Sequence, residues 1–172
     1  MKGHEKNYPH MIEASRRWQM VGWKLGIEAA RRSNLLAGFH FLQLADTDRY
    51  ENANGLLDCF DDSKGVDEQA FLRFNGDTAL LADLPRRTFF QGESVRVPLI
   101  VSHYSATIDG LADVSFTLEN TAGPAVRLAG ELTQIDMTER GRREICQIEL
   151  TMPAVESPAA LRLTCRLRGR NT

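Results

Sequence analysis

The residues whose types suit acid–base or nucleophilic chemistry are three carboxylates, Glu5, Asp46 and Asp48, and one imidazole, His40. Two carboxyl groups held close together can supply a general acid and a base or nucleophile. His40 has no serine or aspartate spaced to form a triad, and its place in an apolar run favours a hydrogen-bonded core histidine. An independent hydrolase that uses Glu5 with Asp46 or Asp48 is the weakest of the three hypotheses that the sequence supports.

Metal, phosphate and cofactor sites are not predicted from the other polar groups. The acidic residues at 58–62 lack the DxDxDG spacing of a calcium loop, and Lys64-Gly65 lacks the GxxxxGK frame of a phosphate loop. The three cysteines include no CxxC pair, which argues against zinc. Cys146 and Cys165 could meet across a sandwich, and a reduced, buried pair is the favoured interpretation.

The composition is that of an ordinary globular protein long enough to bury a core. Of the 172 residues, 42% are hydrophobic and 26% are charged, with a formal net charge of −2. A chain so near neutrality has no global field to attract a polyanion, so we predict no nucleic-acid partner. No run of about 18 apolar residues occurs, so we predict no membrane span.

The elements that position these residues begin with a helix predicted over 9–33. Pro9 suits its first turn, and Asn7 is a candidate cap. Apolar residues recur at spacings of three and four over a wide arc, which predicts packing on more than one side. Those residues are Met11, Ala14, Trp18, Met20, Val21, Trp23, Leu25, Ile27, Ala29 and Ala30.

The run LLAGFHFLQLAD at 35–46 is almost continuously apolar and predicts a strand buried on both faces in a parallel sheet. A helix followed by such a strand is half of a repeating α/β unit, which indicates a piece of something larger. After a loop at 47–65, a short helix is predicted from Asp67, its cap, to Phe74. Residues 75–87 are predicted to be an extended connector.

From about Thr88 the hydrophobic period changes to two. Alternating runs at 95–101, 114–118, 146–150 and 161–167, separated by turn signals, predict six or seven short strands. This pattern is typical of an antiparallel, immunoglobulin-like β-sandwich. The predicted fold class is therefore α+β, with a first domain over 1–87 and the β-sandwich over 88–172.

Three stretches together resemble glycoside hydrolase family 2, the group of β-galactosidases, β-glucuronidases and β-mannosidases. GFHFLQLAD at 38–46 is similar to the family's eighth barrel strand, and GLLDCFDDSKG at 55–65 is similar to the segment after it. FLRFNGDTALLADLPRRTFFQGESVRVPLIVSHYS at 71–105 resembles the crossing from the barrel to the next sandwich. In the second stretch the matching residues are Gly55, Leu57, Asp58, Phe60, Ser63, Lys64 and Gly65.

The resemblance implies a retaining glycosidase on a TIM (β/α)8 barrel, whose two catalytic glutamates end earlier strands. Both glutamates would lie upstream of residues 38–46, so the resemblance implies that this chain lacks them. The one candidate nucleophile in the chain is Glu5, which follows His4. Strand ends line the sugar pocket, so the resemblance also implies that Phe41, Gln43 and Asp46 bind substrate. The alternatives are a core phenylalanine, a solvent-facing glutamine and a loop-capping aspartate.

The leading hypothesis is thus a structural, accessory C-terminal segment of such an enzyme, inactive alone. Its partners would be the carbohydrate substrate in the full-length enzyme and the rest of the barrel or another chain. A homo-oligomer is also open, because the run 35–44 would expose a sheet edge.

A stand-alone sandwich module that binds carbohydrate or protein is the alternative. A row of exposed aromatic residues on one sheet face would support it. The β-sandwich region offers few of them, chiefly Phe89, Phe90, Tyr104 and Phe116.

Overall fold

The computed structural model describes residues 3–48, 52–121 and 127–170. It divides the chain into two compact units, Met1–Gly76, which is helical and irregular, and Asp77–Thr172, which consists of antiparallel strands. The chain is therefore an α+β protein. The second unit begins within the stretch predicted as a connector at 75–87, because Thr78–Ala82 forms a strand of its first sheet.

The first unit contains two helices. A short 3-10 turn at Glu5–Asn7 leads into α1, Tyr8–Arg32, and α2 is Glu68–Asn75. The carboxylate of Asp67 accepts a hydrogen bond from Ala70 N at 3.1 Å, which satisfies one of the free N–H groups of the first turn of α2. Both predicted helices and the Asp67 cap are confirmed.

Within the described residues of the first unit, helix α1 packs on one side, whereas its wide apolar arc predicts packing on more than one side. Its buried residue is Ile27, which forms the core of the first unit with Phe71 and Phe74 of α2. Trp18, predicted to be a core anchor, has 74% of its surface exposed. The exposed large apolar residues of α1 are Tyr8, Met11, Ile12, Trp18, Val21 and Leu25.

The strand predicted over 35–46 is not formed. A strand needs ladder partners, and within the described residues this segment has one isolated parallel bridge, from Ala45 to Leu57. The segment is irregular, and its Leu42–Gln43 peptide bond is cis. Leu42 and Leu44 are exposed, at 69% and 67%. One side of the segment therefore packs against the rest of the first unit, and the leucines on its other side are exposed to solvent.

The second unit is a β-sandwich of two three-stranded sheets, with strand orders β1-β2-β5 and β4-β3-β6. All the ladders are antiparallel, as predicted. The strands are β1 Thr78–Ala82, β2 Ser94–His103, β3 Leu111–Asn120, β4 Arg127–Asp136, β5 Gly141–Thr151 and β6 Leu161–Gly169. The alternating runs predicted four of these strands; β1 and β4 were not predicted.

The core of the sandwich lies between the two sheets. Val97, Leu99 and Val114 are fully buried, and burial of each such side chain contributes about 1.5–3 kcal/mol. The full buried cluster is Val95, Val97, Leu99, Val114, Leu118, Ile148, Leu150 and Met152. On β3, Phe116 is paired with Gly130 of β4, and a Cβ atom at Gly130 would overlap the Phe116 ring.

The register of the β2–β5 ladder shifts between Leu99 and Ile100, because β5 carries an extra residue, Ile145, between their partners Cys146 and Glu144. Strict alternation predicted Ile100 and Ser102 on the outer face of the sheet, but both are buried. Ile100 forms a separate cluster with Ala79 and Leu81 of β1. Beyond this shift both faces of β2 are buried, although its side chains still alternate between the two faces.

Candidate functional site

The first unit holds the end of the apolar segment against the loop that follows it. Leu57 N donates to Leu44 O at 2.9 Å, and Asp46 N donates to Leu57 O at 3.1 Å. These two bonds flank the parallel bridge between Ala45 and Leu57. The candidate site is built from this segment and loop, which contain two of the stretches that resemble the glycosidase family.

Asp46 and Lys64 form an ion pair at the centre of this framework. Lys64 Nζ lies 2.9 Å from Asp46 Oδ2 and 3.1 Å from Oδ1, and it also donates to Ala53 O at 3.1 Å. The Asp46 carboxylate accepts a third hydrogen bond, from Gly55 N at 2.6 Å. Only 15% of the Asp46 side chain and 14% of the Lys64 side chain are exposed. The buried ion pair therefore stabilises the contact between the loop that follows residue 48 and the end of the apolar segment.

The electrostatics of Asp46 favour an ionised carboxylate. Burial on its own would raise the pKa of Asp46. The hydrogen bond from Lys64, the N–H of Gly55 and the charge of Lys64 together outweigh burial, and the pKa is lowered. Such a carboxylate can hold a loop or accept a hydrogen bond from a ligand hydroxyl, but it does not suit the role of a general acid.

Gly55 allows the loop to approach the segment this closely. It is buried, and a Cβ atom at this position would lie 2.6 Å from Asp46 N and 2.7 Å from Leu57 O. Both of those atoms belong to backbone that is already hydrogen-bonded, so neither can move away freely. A side chain at position 55 is therefore incompatible with this packing.

The loop is also shaped from within by Asp58. Its Oδ1 accepts hydrogen bonds from Phe60 N at 2.8 Å and Asp62 N at 3.0 Å, and Asp61 between them has a φ of 65°. Asp58 N in turn donates to Asp62 O at 2.9 Å. With these contacts Asp58 caps a turn through neighbouring backbone N–H groups, which is the ordinary alternative to a calcium ligand for such an aspartate. Asp58, one of the matching residues in the family-like stretch 55–65, thus stabilises the local structure of the loop.

Gln43 contacts the same loop as Asp46. Its Nε2 donates to Asn52 O at 3.3 Å, and Asn52 N donates to Thr47 Oγ1 at 3.2 Å. Gln43 is half-buried rather than facing solvent. The structure therefore brings two of the three predicted substrate-binding residues, Gln43 and Asp46, to residues 52–55 of one loop.

Phe41, the third of these residues, points into the core of the first unit. Its ring meets Trp23 edge-on at 5.7 Å and Phe71 at 5.6 Å between centroids. Trp23 and Phe71 also meet each other at 6.0 Å. Edge-to-face packing of this kind stabilises an aromatic cluster. In this arrangement the Phe41 ring is held by protein groups.

An open groove runs between α1 and the apolar segment, with a volume of about 510 Å³. The small residues Gly22, Gly26 and Ala30 form its floor on the helix, and a Cβ atom at either glycine would meet open space. Trp18 and Phe39 also line it. The groove is thus an apolar surface that the described part of the first unit leaves uncovered.

The remaining candidate residues lie at the surface. Glu5 is exposed in the 3-10 turn before α1, and Asp48 is exposed near the end of the described range 3–48. His40 is exposed as well, so its interpretation as a core histidine was wrong. It lies between Phe39 and Phe41, and in this irregular segment it points outward although its neighbours are apolar.

The sequence reasoning missed the importance of Lys64, which was considered only as part of a phosphate loop. The feature of the sequence that could have pointed to Lys64 is the family-like stretch 55–65, in which it lies between Ser63 and Gly65, a glycine with a φ of 75°. The place of His103 at the end of a predicted strand favours a surface position, but His103 is fully buried. The signal there was parity, since His103 continues the inward series of Val97, Leu99 and Val101.

No three His, Cys, Asp or Glu side chains within the described ranges are close enough to hold a metal ion. Neither helix of the described chain combines the length and apolarity needed to cross a bilayer. In comparisons with known proteins, no family model matches the sequence, and no curated protein is similar to it.

Proposed function

We propose that the chain is the C-terminal segment of a retaining glycoside hydrolase similar to family 2. In this proposal α1 and the segment 35–46 are the last helix and strand of a catalytic barrel, and the immunoglobulin-like sandwich follows them. The parent enzyme would hydrolyse a β-glycosidic bond through a covalent glycosyl-enzyme intermediate. The role of this chain would be to close the barrel.

The observation that carries the proposal is the exposed apolar surface of the first unit. Leu35, Leu42 and Leu44 are 89%, 69% and 67% exposed, and Trp18 of α1 is 74% exposed. Large exposed apolar surface is typical of a face that a partner covers, so these side chains support the proposal. A strand in a barrel is covered by side chains on both faces and by strands at both edges, so a barrel would bury these residues.

The loop chemistry is consistent with this role. In a barrel, the loops after the strands form the substrate face. Asp46 and Gln43 end the proposed strand and bind residues 52–55 of the loop that follows. We assign Gln43 and Asp46 to the sugar-binding end of the strand, where their contacts with Asn52 and Gly55 would hold the loop in place for substrate. Phe41, whose ring packs on Trp23 and Phe71, would support that end of the strand from the core.

The alternative, a stand-alone carbohydrate-binding sandwich, is less well supported. Phe90 and Tyr104 are exposed, at 81% and 65%, but they precede and follow β2, a strand of ten residues. At about 3.3 Å per residue, the two rings lie roughly 30 Å apart and form no continuous platform for a sugar chain. The ring of Phe89 is covered by the guanidinium of Arg86 at 4.7 Å.

The decisive test is the coding sequence upstream of Met1. We expect an open reading frame for a barrel that carries two glutamates, and co-production of that barrel with this chain should give hydrolysis of nitrophenyl β-glycosides. The chain on its own should give none. Turnover by the isolated chain that disappears in Glu5→Gln would favour the independent hydrolase instead.

The exposed surface gives a second test. Leu42→Gln and Leu44→Gln should reduce self-association of the isolated chain in sedimentation velocity, without lowering its unfolding midpoint. Leu81→Gln, at a buried position of the sandwich, is the contrasting variant and should lower the midpoint. Leu42→Gln and Leu44→Gln should also reduce the binding of a dye that fluoresces on exposed apolar surface. If both variants leave self-association and dye binding unchanged, the apolar face is ordinary surface and the barrel proposal loses its main support.

A further inference from the structure

His103 is the last residue of β2 and is fully buried. Because β2 is the middle strand of its sheet, His103 has a neighbour on each side, Thr78 of β1 and Gly141 of β5. Its Nδ1 lies 2.7 Å from Thr78 Oγ1, and its Nε2 lies 2.9 Å from Arg140 Nη1. Both ring nitrogens are therefore hydrogen-bonded to protein groups.

The contact with Arg140 determines the protonation state of the ring. A guanidinium group only donates hydrogen bonds, so Nε2 of His103 must accept. The ring is then neutral with its proton on Nδ1, and that proton is donated to Thr78 Oγ1. A second proton on Nε2 would place two donors and two positive charges face to face in a buried site. Protonation and the Arg140 contact are thus mutually exclusive.

Arg140 ends the connection Met137–Arg140, which carries the chain from β4 in one sheet to β5 in the other. Arg140 Nη1 also donates to Met137 O at 3.2 Å, and Met137 N donates to Gly110 O at 2.6 Å. Met137 is fully buried, whereas Arg140 is exposed to solvent. The arginine can therefore leave the ring and become hydrated without rearrangement of the core.

We propose that His103 is an acid-sensitive latch: its neutral ring holds Arg140 and the connection Met137–Arg140 onto the end of β2, and protonation of the ring releases them. The latch acts within the β-sandwich and does not depend on the proposed glycosidase. Its effect is to loosen one end of the sandwich, where β4 passes to β5, once the ring is protonated.

The charges around the ring act in this direction. Burial is the largest cause that lowers the pKa of His103, and the charge of Arg140 is the next. Backbone groups of Ile108 and Met137 oppose them, and Arg143 of β5 adds to the lowering. Because the folded pKa lies below the ordinary value, the latch is intact at neutral pH and is lost as the pH falls through the folded pKa.

Two carboxylates near these arginines leave the direction of the His103 pKa shift unchanged. From the β2–β3 connection, Asp109 Oδ2 lies 3.9 Å from Arg140 Nη2. From the end of β4, Asp136 interacts with Arg143, and its pKa is lowered, first by the N–H of Thr138. The net shift of the His103 pKa remains downward with both carboxylates present.

The latch can be tested by nitrogen-15 NMR of the full chain. His103 should keep the Nδ1–H tautomer below about pH 6.5, the ordinary pKa of a free imidazole. Between about pH 6.5, the ordinary pKa of an imidazole released to water, and the lower midpoint of His103, opening at the amides of 137–141 should rise about tenfold for each unit fall in pH, since opening takes up one proton. After correction for intrinsic exchange, the amide of Val97 should show no such step.

Two variants and a control complete the test. His103→Gln cannot titrate, so the step in exchange at 137–141 should disappear, whereas His40→Gln should retain it. Should His103→Gln fail to fold, Arg140→Met decides: fast, pH-independent exchange at 137–141 is expected. An Nε2–H tautomer in the native protein, or an unchanged acid step in His103→Gln or Arg140→Met, would overturn the proposal.

Discussion

Lys64 Nζ contacts both carboxylate oxygens of Asp46, at 2.9 Å and 3.1 Å, across a separation of 18 residues. The contact closes the loop that contains Asn52 and Gly55, and both partners are mostly shielded from water. An ion pair in such a setting differs from one on an open helix surface, because removal of one partner leaves the other charged and poorly hydrated. This difference can be measured within the first unit.

Lys64→Met should destabilise the first unit by about 1–3 kcal/mol, because it leaves the mostly buried Asp46 carboxylate without a positively charged partner. Arg17→Met is the control. Its partner Glu13 is four residues away on α1, where 78% of the arginine and 58% of the glutamate side chain are exposed, so a change within about 0.5 kcal/mol is expected. Urea unfolding followed by fluorescence isolates this unit, since both tryptophans, Trp18 and Trp23, lie in α1. Equal losses in the two variants would show that the Asp46 pair is no stronger than a surface pair.

The same carboxylate should make the first unit sensitive to acid. The pKa of Asp46 is lower in the folded chain than in the unfolded one, so its contribution is present above about pH 4 and is lost as the pH falls through the folded pKa. Asp46→Asn should flatten the dependence of the tryptophan-detected midpoint on pH below 4, whereas Asp48→Asn should not. An unaltered pH dependence in Asp46→Asn would exclude the pair as its source.

Gly55→Ala should be strongly destabilising, by about 2 kcal/mol or more, because the new methyl group would overlap the backbone at Asp46 and Leu57. Gly26→Ala makes the same chemical change in α1, where the added atom meets open space. There it should stabilise the first unit by about 0.5–1 kcal/mol through better helix propensity. The two variants should therefore move the urea midpoint in opposite directions, and a shift of both in one direction would contradict the close approach at Gly55.

The three thiols should differ widely in reactivity. Cys59 is exposed, whereas burial and then the nearby Cys146 raise the pKa of Cys165 to about 11. At pH 8 only about one in a thousand Cys165 side chains is then a thiolate, the reactive form. Burial, followed by the charge of Glu144, also raises the pKa of Cys146. A chromogenic disulfide reagent should modify one thiol rapidly in the native protein and the others on unfolding.

Cys59→Ser provides the control for this labelling. It should abolish the rapid phase and leave the total after unfolding one thiol lower. Rapid modification that persists in Cys59→Ser would mean that the sandwich cysteines are accessible.

Periodicity predicted the regular elements with strong patterns and failed where the pattern was broken. Helix α1 and strand β2 were found because their apolar residues repeat at the periods of helix and strand. Strand β4 was missed because it lies at a sheet edge and is largely exposed, so alternation is weak, and Gln134 within it has a φ of 63°. The segment 35–46 was overpredicted because apolarity alone does not make a strand without ladder partners.

The site was predicted in its residues but not in its contacts. The end of the apolar segment pointed to Gln43 and Asp46, which do lie against one loop. The partner of Asp46 is Lys64, 18 residues away, and no local pattern identifies a pair at that separation. Similarly, the role of Gly55 follows from how closely two backbones approach, which depends on the folded loop.

The pairing of Phe116 with Gly130 implies that these two positions cannot vary independently through evolution. The aromatic ring occupies the space that a methyl group at position 130 would need. A larger residue at 130 is therefore compatible with this sheet only alongside a smaller one at 116. Related chains should show the two positions changing together, with their combined volume preserved across the β3–β4 ladder.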